Sequence, residues 1–79
     1  MSPTVFRYKK YRFLFYSREE QRMHIHVWCP DGEAKIWIEP EIELAVQKGL
    51  KDREIKELLE VTEERIDEIR QSWQDHFRG

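Results

Sequence analysis

The 79-residue chain is poor in the residues that announce a special environment. It holds one cysteine, Cys29, so no internal disulfide framework can form, and a reducing, cytoplasmic setting is expected. No window approaches the roughly 18 uncharged apolar residues that a membrane helix needs. Met1-Ser2-Pro3-Thr4 runs straight into an aromatic segment, without the basic-then-apolar pattern of a signal peptide, so no membrane partner is expected. Glycine and proline number three each while ten aromatics fall in periodic runs, which argues against disorder. There is no Gly-rich phosphate loop, no CxxC, and no Ser–His–Asp or Cys–His arrangement, so no cofactor is expected. Charge of one sign is scarce as well: 14 Lys and Arg stand against 16 Asp and Glu, a net of −2. What remains is one small domain, near the size at which a core becomes marginal.

The near-balance of charge hides an asymmetry. Residues 1–32 carry six basic and three acidic groups, and residues 33–79 carry eight basic and 13 acidic ones. A basic front half thus precedes an acidic back half, which bears on partners rather than on fold.

Thr4 to Tyr8 and Tyr11 to Tyr16 are rich in aromatic and β-branched residues, the composition of strands. If Lys9-Lys10 forms the turn, Tyr8 pairs with Tyr11, Phe6 with Phe13 and Arg7 with Arg12. One face of this hairpin is then aromatic and the other basic. The turn is unusual, because such positions favour Asn or Gly. His24 to Trp28 and Glu33 to Ile38 alternate around Cys29-Pro30-Asp31-Gly32, in which Gly is expected to take the left-handed turn position. A three-residue loop with a Gly bulge would pair Cys29 with Glu33 and send Trp37 to the face of Ile25. The apolar pattern instead groups Ile25, Val27, Ala34, Ile36 and Ile38, with His24, His26, Trp28, Glu33, Lys35 and Trp37 opposite, and is favoured.

Pro40 suits a first helical position and Gly49 a helix end, which predicts a short helix over 40–49 with Ile42, Ala45 and Val46 as its apolar stripe. Ile55, Leu58, Leu59, Thr62, Ile66, Ile69, Trp73 and Phe77 recur at helical spacing over 52–77. One helix of that length would span roughly 39 Å, long for so small a domain, so a bend or break near Val61-Thr62, or a contact arm, is expected. The fold class is therefore α+β: an antiparallel sheet of about four strands from two hairpins, with two helices packed on one face.

His24-Ile25-His26 is the sharpest chemical feature. On a strand the two imidazoles share a face roughly 6.5–7 Å apart. With Lys35 and the basic hairpin they supply the groups for acid–base cleavage of RNA, which makes His24, His26 and Lys35 the candidate catalytic residues. A metal-dependent enzyme is an alternative, with Glu33, Glu39, Cys29 or His76 as further ligands, but none stands at a diagnostic spacing and no metal site is assigned. A purely structural histidine pair, stacked on Trp37, is the competing reading. Arg7, Lys9, Lys10 and Arg12 lie among Phe6, Tyr8, Tyr11 and Phe13, a mixture that can hold phosphates and stack bases. The same alternation also describes an ordinary hairpin with one buried and one solvated face. Trp28 and Trp37 are candidate interface anchors. Residues 54–66 look like a helix-turn-helix segment, yet Glu63, Glu64, Asp67 and Glu68 would repel phosphates, which favours a plain amphipathic helix.

Pro3-Thr4-Val5-Phe6, the run from Tyr11 to Glu19, His24-Ile25-His26-Val27 and the run from Glu33 to Glu41 occur in an order that resembles a small prokaryotic family called domain of unknown function 4160. The resemblance spans about residues 3–77. The family has no assigned activity, and its members are discussed as candidate toxin–antitoxin components beside a second small protein. The resemblance therefore implies a partner and an RNA-directed role, and the thin core of so small a domain separately predicts stabilisation by a cognate small protein or by oligomerisation. It carries over Tyr16, Ser17, His24, His26, Glu33, Lys35, Trp37 and Pro40. Met23, Lys9-Lys10 and Lys51 depart from the family pattern, which has Pro, Gly and a capping Ser there. Three readings follow: a toxin-type component acting on RNA through His24 and His26, a non-enzymatic binding module, and a metal-dependent enzyme. Arg7, Lys9, Lys10, Arg12, Tyr16, Trp28 and Trp37 are the candidate RNA- or partner-binding residues.

Overall fold

A computed structural model describes residues 4–16 and 21–77. Its order is β1 (Thr4–Tyr8), β2 (Tyr11–Leu14), β3 (His24–Cys29), β4 (Gly32–Trp37), β5 (Glu43–Lys48), α1 (Asp52–Glu64) and α2 (Ile66–Phe77). The five strands form one antiparallel sheet in chain order, and the domain is α+β as expected, with one strand more.

The first hairpin has the expected register: Phe6 opposite Phe13, Arg7 opposite Arg12, Tyr8 opposite Tyr11. Lys9 alone takes a positive φ in its turn, 53°, the arrangement of a II′ turn whose first central position ordinarily holds Gly. The second hairpin follows the apolar pattern, pairing Ile25 with Ile36, Val27 with Ala34 and Cys29 with Gly32. Its loop is therefore the two residues Pro30-Asp31. Gly32 does not take the left-handed conformation expected of it; a Cβ there would lie 2.0 Å from the Lys48 carbonyl oxygen. Glycine is needed because the end of β5 passes close by. The positive φ belongs to Gly49, at 80°.

The helix expected over 40–49 is instead β5, preceded by a cis Glu39–Pro40 bond. Ile42, Leu44 and Val46 alternate as readily as Ile42, Ala45 and Val46 follow a helical stripe, and so short a segment satisfies both periods. Pairing with β4 satisfies backbone groups along that strand that a helix would leave open, and this tertiary term wins. The long helix also divides. Arg65 leaves helical geometry (φ −109°, ψ 25°), three residues after the expected place. Thr62, buried, donates its hydroxyl to the Leu58 carbonyl at 2.8 Å, a back-bond that bends helices. After the break, Ile69 is fully buried and Trp73 packs edge-to-face on Phe15, ring centroids 5.3 Å apart.

The core lies between the helices and one sheet face. Phe13, Phe15, Ile25, Val27, Ile36 and Ile38 from the sheet meet Leu58, Val61 and Ile69 from the helices. Polar contacts fasten α1 to the first hairpin: Tyr8 donates to Glu57, Lys9 pairs with Glu57 at 2.6 Å, and Tyr11 donates to Glu54 at 2.5 Å. No helix among the described residues is long and apolar enough to cross a membrane.

Candidate functional site

The sheet face opposite the apolar core carries the candidate residues, and α2 reaches its end through Trp73 beside His24. Cross-strand pairs show this directly: Arg7 with Arg12, Arg12 with Trp28, Leu14 with His26, His26 with Lys35, His24 with Trp37 and Trp28 with Glu33. Side chains directly opposite in an antiparallel pair share a face. The sheet thus brings Arg7, Arg12, His24, His26, Trp28, Lys35 and Trp37 to one side. Tyr16 joins them, its ring centroid 4.2 Å from that of His26. Lys9 and Lys10 do not. They lie at the hairpin turn, where Lys9 pairs with Glu57, and Lys10 with Asp31 at 2.5 Å and with Glu54 at 3.4 Å. Ser17 lies outside the described residues.

The two histidines differ in access. His24 is fully buried, its ring 5.5 Å from that of Trp37 and 5.2 Å from that of Trp73. Its Nδ1 lies 2.6 Å from the Arg22 carbonyl oxygen, which only accepts, so Nδ1 carries a proton and donates it there. His26 is half-buried and lines a cleft of about 200 Å³ with Tyr16, Glu33, Lys35, Val46 and Lys48. The pair meets edge to face at 5.1 Å. Only one imidazole therefore borders open space. Cys29, considered as a metal ligand, is buried on the helix side of the sheet, and His76 stacks on Phe15. Among the described residues no three His, Cys, Asp or Glu side chains gather as a metal site.

Trp37 lies between two cations: the Arg22 guanidinium is 4.2 Å and the Lys35 ammonium 4.4 Å from its ring centroid. Trp28 is 48% exposed and Tyr16 39%. Arg22, Lys48 and Val46 were not singled out by sequence reasoning. Val46 and Lys48 were hidden by the helical reading of 40–49, and strict alternation would have misplaced them too, because a register shift in β5 sends Leu44 and Val46 to opposite faces. Arg22 had no local signal, because its role depends on reaching Trp37 across the sheet.

Charge divides by layer. Among the described residues the open face holds Arg7, Arg12, Arg22, Lys35 and Lys48 against Glu33 and Glu43, while α1 and α2 expose Asp52, Glu60, Glu63, Glu64, Asp67, Glu68 and Asp75 against Arg53, Lys56, Arg65 and Arg70. Away from this face, two carboxylates tie helix to hairpin. The Lys51 backbone N–H, the Tyr11 hydroxyl and the Lys10 ammonium hold the Glu54 carboxyl down at about 2. Lys9 and Tyr8 lower that of Glu57. Burial, with the Glu54 carboxylate, pushes Tyr11 up to about 12.

A family model described as Domain of unknown function (DUF4160) matches residues 11–74. The chain belongs to the DUF4160 family. The match takes in β2 through most of α2, and so the cleft and both histidines, all but β1 of the open face. No curated protein and no solved structure matches the chain.

Proposed function

We propose that this DUF4160 domain is a non-cleaving binding module that lays single-stranded RNA across its open sheet face, in the cytoplasm, as one component of a toxin–antitoxin-type pair. The observation that carries the reading is the company of exposed Trp28 and Tyr16 and half-buried His26 with five cations among the described residues, on the side opposite the apolar core. Aromatic rings on an open antiparallel sheet stack bases, and cations beside them hold the backbone. A duplex presents its bases already stacked and gives those rings nothing to bind.

Cleavage by a histidine pair is not favoured, since His24 is buried between two indoles and only His26 borders the cleft. The partner that the toxin–antitoxin context implies is a cognate small protein. The test is fluorescence anisotropy with a labelled single-stranded RNA and the matching duplex. Single strands are expected to bind more tightly, and Trp28→Ala to weaken them by about tenfold, the scale of one lost stacking contact. Incubated RNA is expected to remain intact. Equal affinity for duplex, or indifference to Trp28→Ala, refutes the binding face; specific cleavage lost in His26→Ala restores the catalytic reading.

A further inference from the structure

β5 is an outer strand of the sheet, bonded to β4 alone. An edge strand presents a row of backbone donors and acceptors, and natural edges are usually blunted by shortness, proline, charge or a bulge. β5 matches β3 and β4 at six residues, contains no proline, and leaves Leu44 36% and Val46 60% exposed. It does carry a bulge, and the bulge decides what can pair with it.

In an uninterrupted strand Glu43 and Lys48 would point to opposite faces. Here the register slips: Lys48 lies opposite Glu33 and Val46 opposite Lys35, whereas Leu44 lies opposite Ile36 and Glu43 opposite Trp37. Ala45 is the extra residue. Glu43, Val46 and Lys48 consequently all lie on the open face, and Leu44 and Gln47 lie on the helix side. Two copies of β5, antiparallel about a two-fold axis perpendicular to the sheet, keep their faces, so only residues of the same face can stand opposite one another. The bulge meets that condition. Glu43 falls opposite Lys48 of the second copy, twice by symmetry, and Leu44 falls opposite Gln47. The Val46 side chains meet near the axis.

We infer that β5 is the contact of a homodimer in which two five-stranded sheets join edge to edge around this axis. The charges continue rows already present: Lys48 stands opposite Glu33 in its own sheet, and Glu43 is paired with Arg22 at 3.2 Å. Across the contact the order becomes Glu33, Lys48, Glu43, Arg22, with alternating sign. Opposite charges in directly facing positions stabilise a strand pair, and a two-fold contact needs a patch complementary to itself. β1, the other edge, has Arg7 as its sole charge and offers no such match. The contact shares Val46 and Lys48 with the cleft beside His26, and sedimentation in the absence of RNA reads it independently of RNA binding.

Sedimentation equilibrium of the full chain over a concentration series tests it, with circular dichroism confirming that each variant is folded. The wild type is expected to dimerise, more weakly at high salt. Lys48→Glu sets like charges opposite each other twice and is expected to weaken the dimer by about tenfold or more. Adding Glu43→Lys to it is expected to recover most of the loss, and Val46→Lys to give a monomer on its own. A wild type that stays monomeric up to its solubility limit overturns the inference. So does a dimer unchanged by both Lys48→Glu and Val46→Lys, or a folded double variant that recovers nothing.

Discussion

Alternation sends His24 and His26 to one side of β3, yet the Trp73 ring covers the first while the second lines a cleft. The two positions should therefore respond differently to the same truncation. His24→Ala removes a fully buried ring and the partner of the Arg22 carbonyl, and should cost about 2–4 kcal/mol, read from the urea midpoint. His26→Ala should cost about 1 kcal/mol or less and instead weaken RNA binding. The alternation that placed both imidazoles on the open face was legible in the sequence. The burial of His24 was not, because the side chain that covers it comes from the far end of the chain. Gly32 and Gly49 make the same point. The turn signal around Pro30-Asp31 was plain, but which glycine needs a positive φ and which needs a close approach depends on where β5 passes.

At the scale of elements, α1 begins without the usual cap. Lys51 occupies the N-cap in an extended conformation (φ −85°, ψ 157°) and its side chain cannot accept a hydrogen bond, while Glu54 reaches back to its N–H at 3.0 Å. Lys51→Ser would supply the missing half of a capping box and should raise stability by about 1 kcal/mol in thermal or urea unfolding. Glu54 also joins α1 to the first hairpin through Tyr11 and Lys10, which gives this junction a pH signature. Its carboxyl falls from an ordinary 4.5 to about 2 on folding. The stabilisation is thus complete above about 4.5 and is lost as pH falls through about 2, with Glu57 acting in the same direction. The urea midpoint should decline over that window, and Glu54→Gln should flatten the decline. Both hairpins could be read in advance because each strand alternates and each turn is short. Residues 40–49 could not, since proline, a later glycine and a two-way apolar pattern described a helix as well as a strand, and only contact with β4 separates them.

Across the whole molecule, the basic front half and acidic back half become two layers, an open sheet face and a helical back. Nucleic acid held by that face should dissociate as salt rises, with a log–log slope of about −0.7 for each phosphate neutralised on a single strand. Titrations at several salt concentrations should return a slope of about −2, rather than the roughly −3.5 that five neutralised phosphates would give, because Arg22 and Lys35 are already engaged with Trp37. Lys48→Ala should make the slope shallower. The sheet has a further consequence, for the manner in which the chain is made. Its strands lie side by side in the order of synthesis, so every pairing is between neighbours in the chain and can form as soon as the second strand leaves the ribosome. The helices that cover Phe13, Ile25, Val27 and Ile36 come after all five strands. At typical translation speeds the helices take roughly one to five seconds to synthesise after β5, and until they emerge the apolar side of the strands has no cover. A chain truncated within α1 would be left with a sheet and no lid, and aggregation of that fragment, rather than slow folding, is the hazard this order of elements creates.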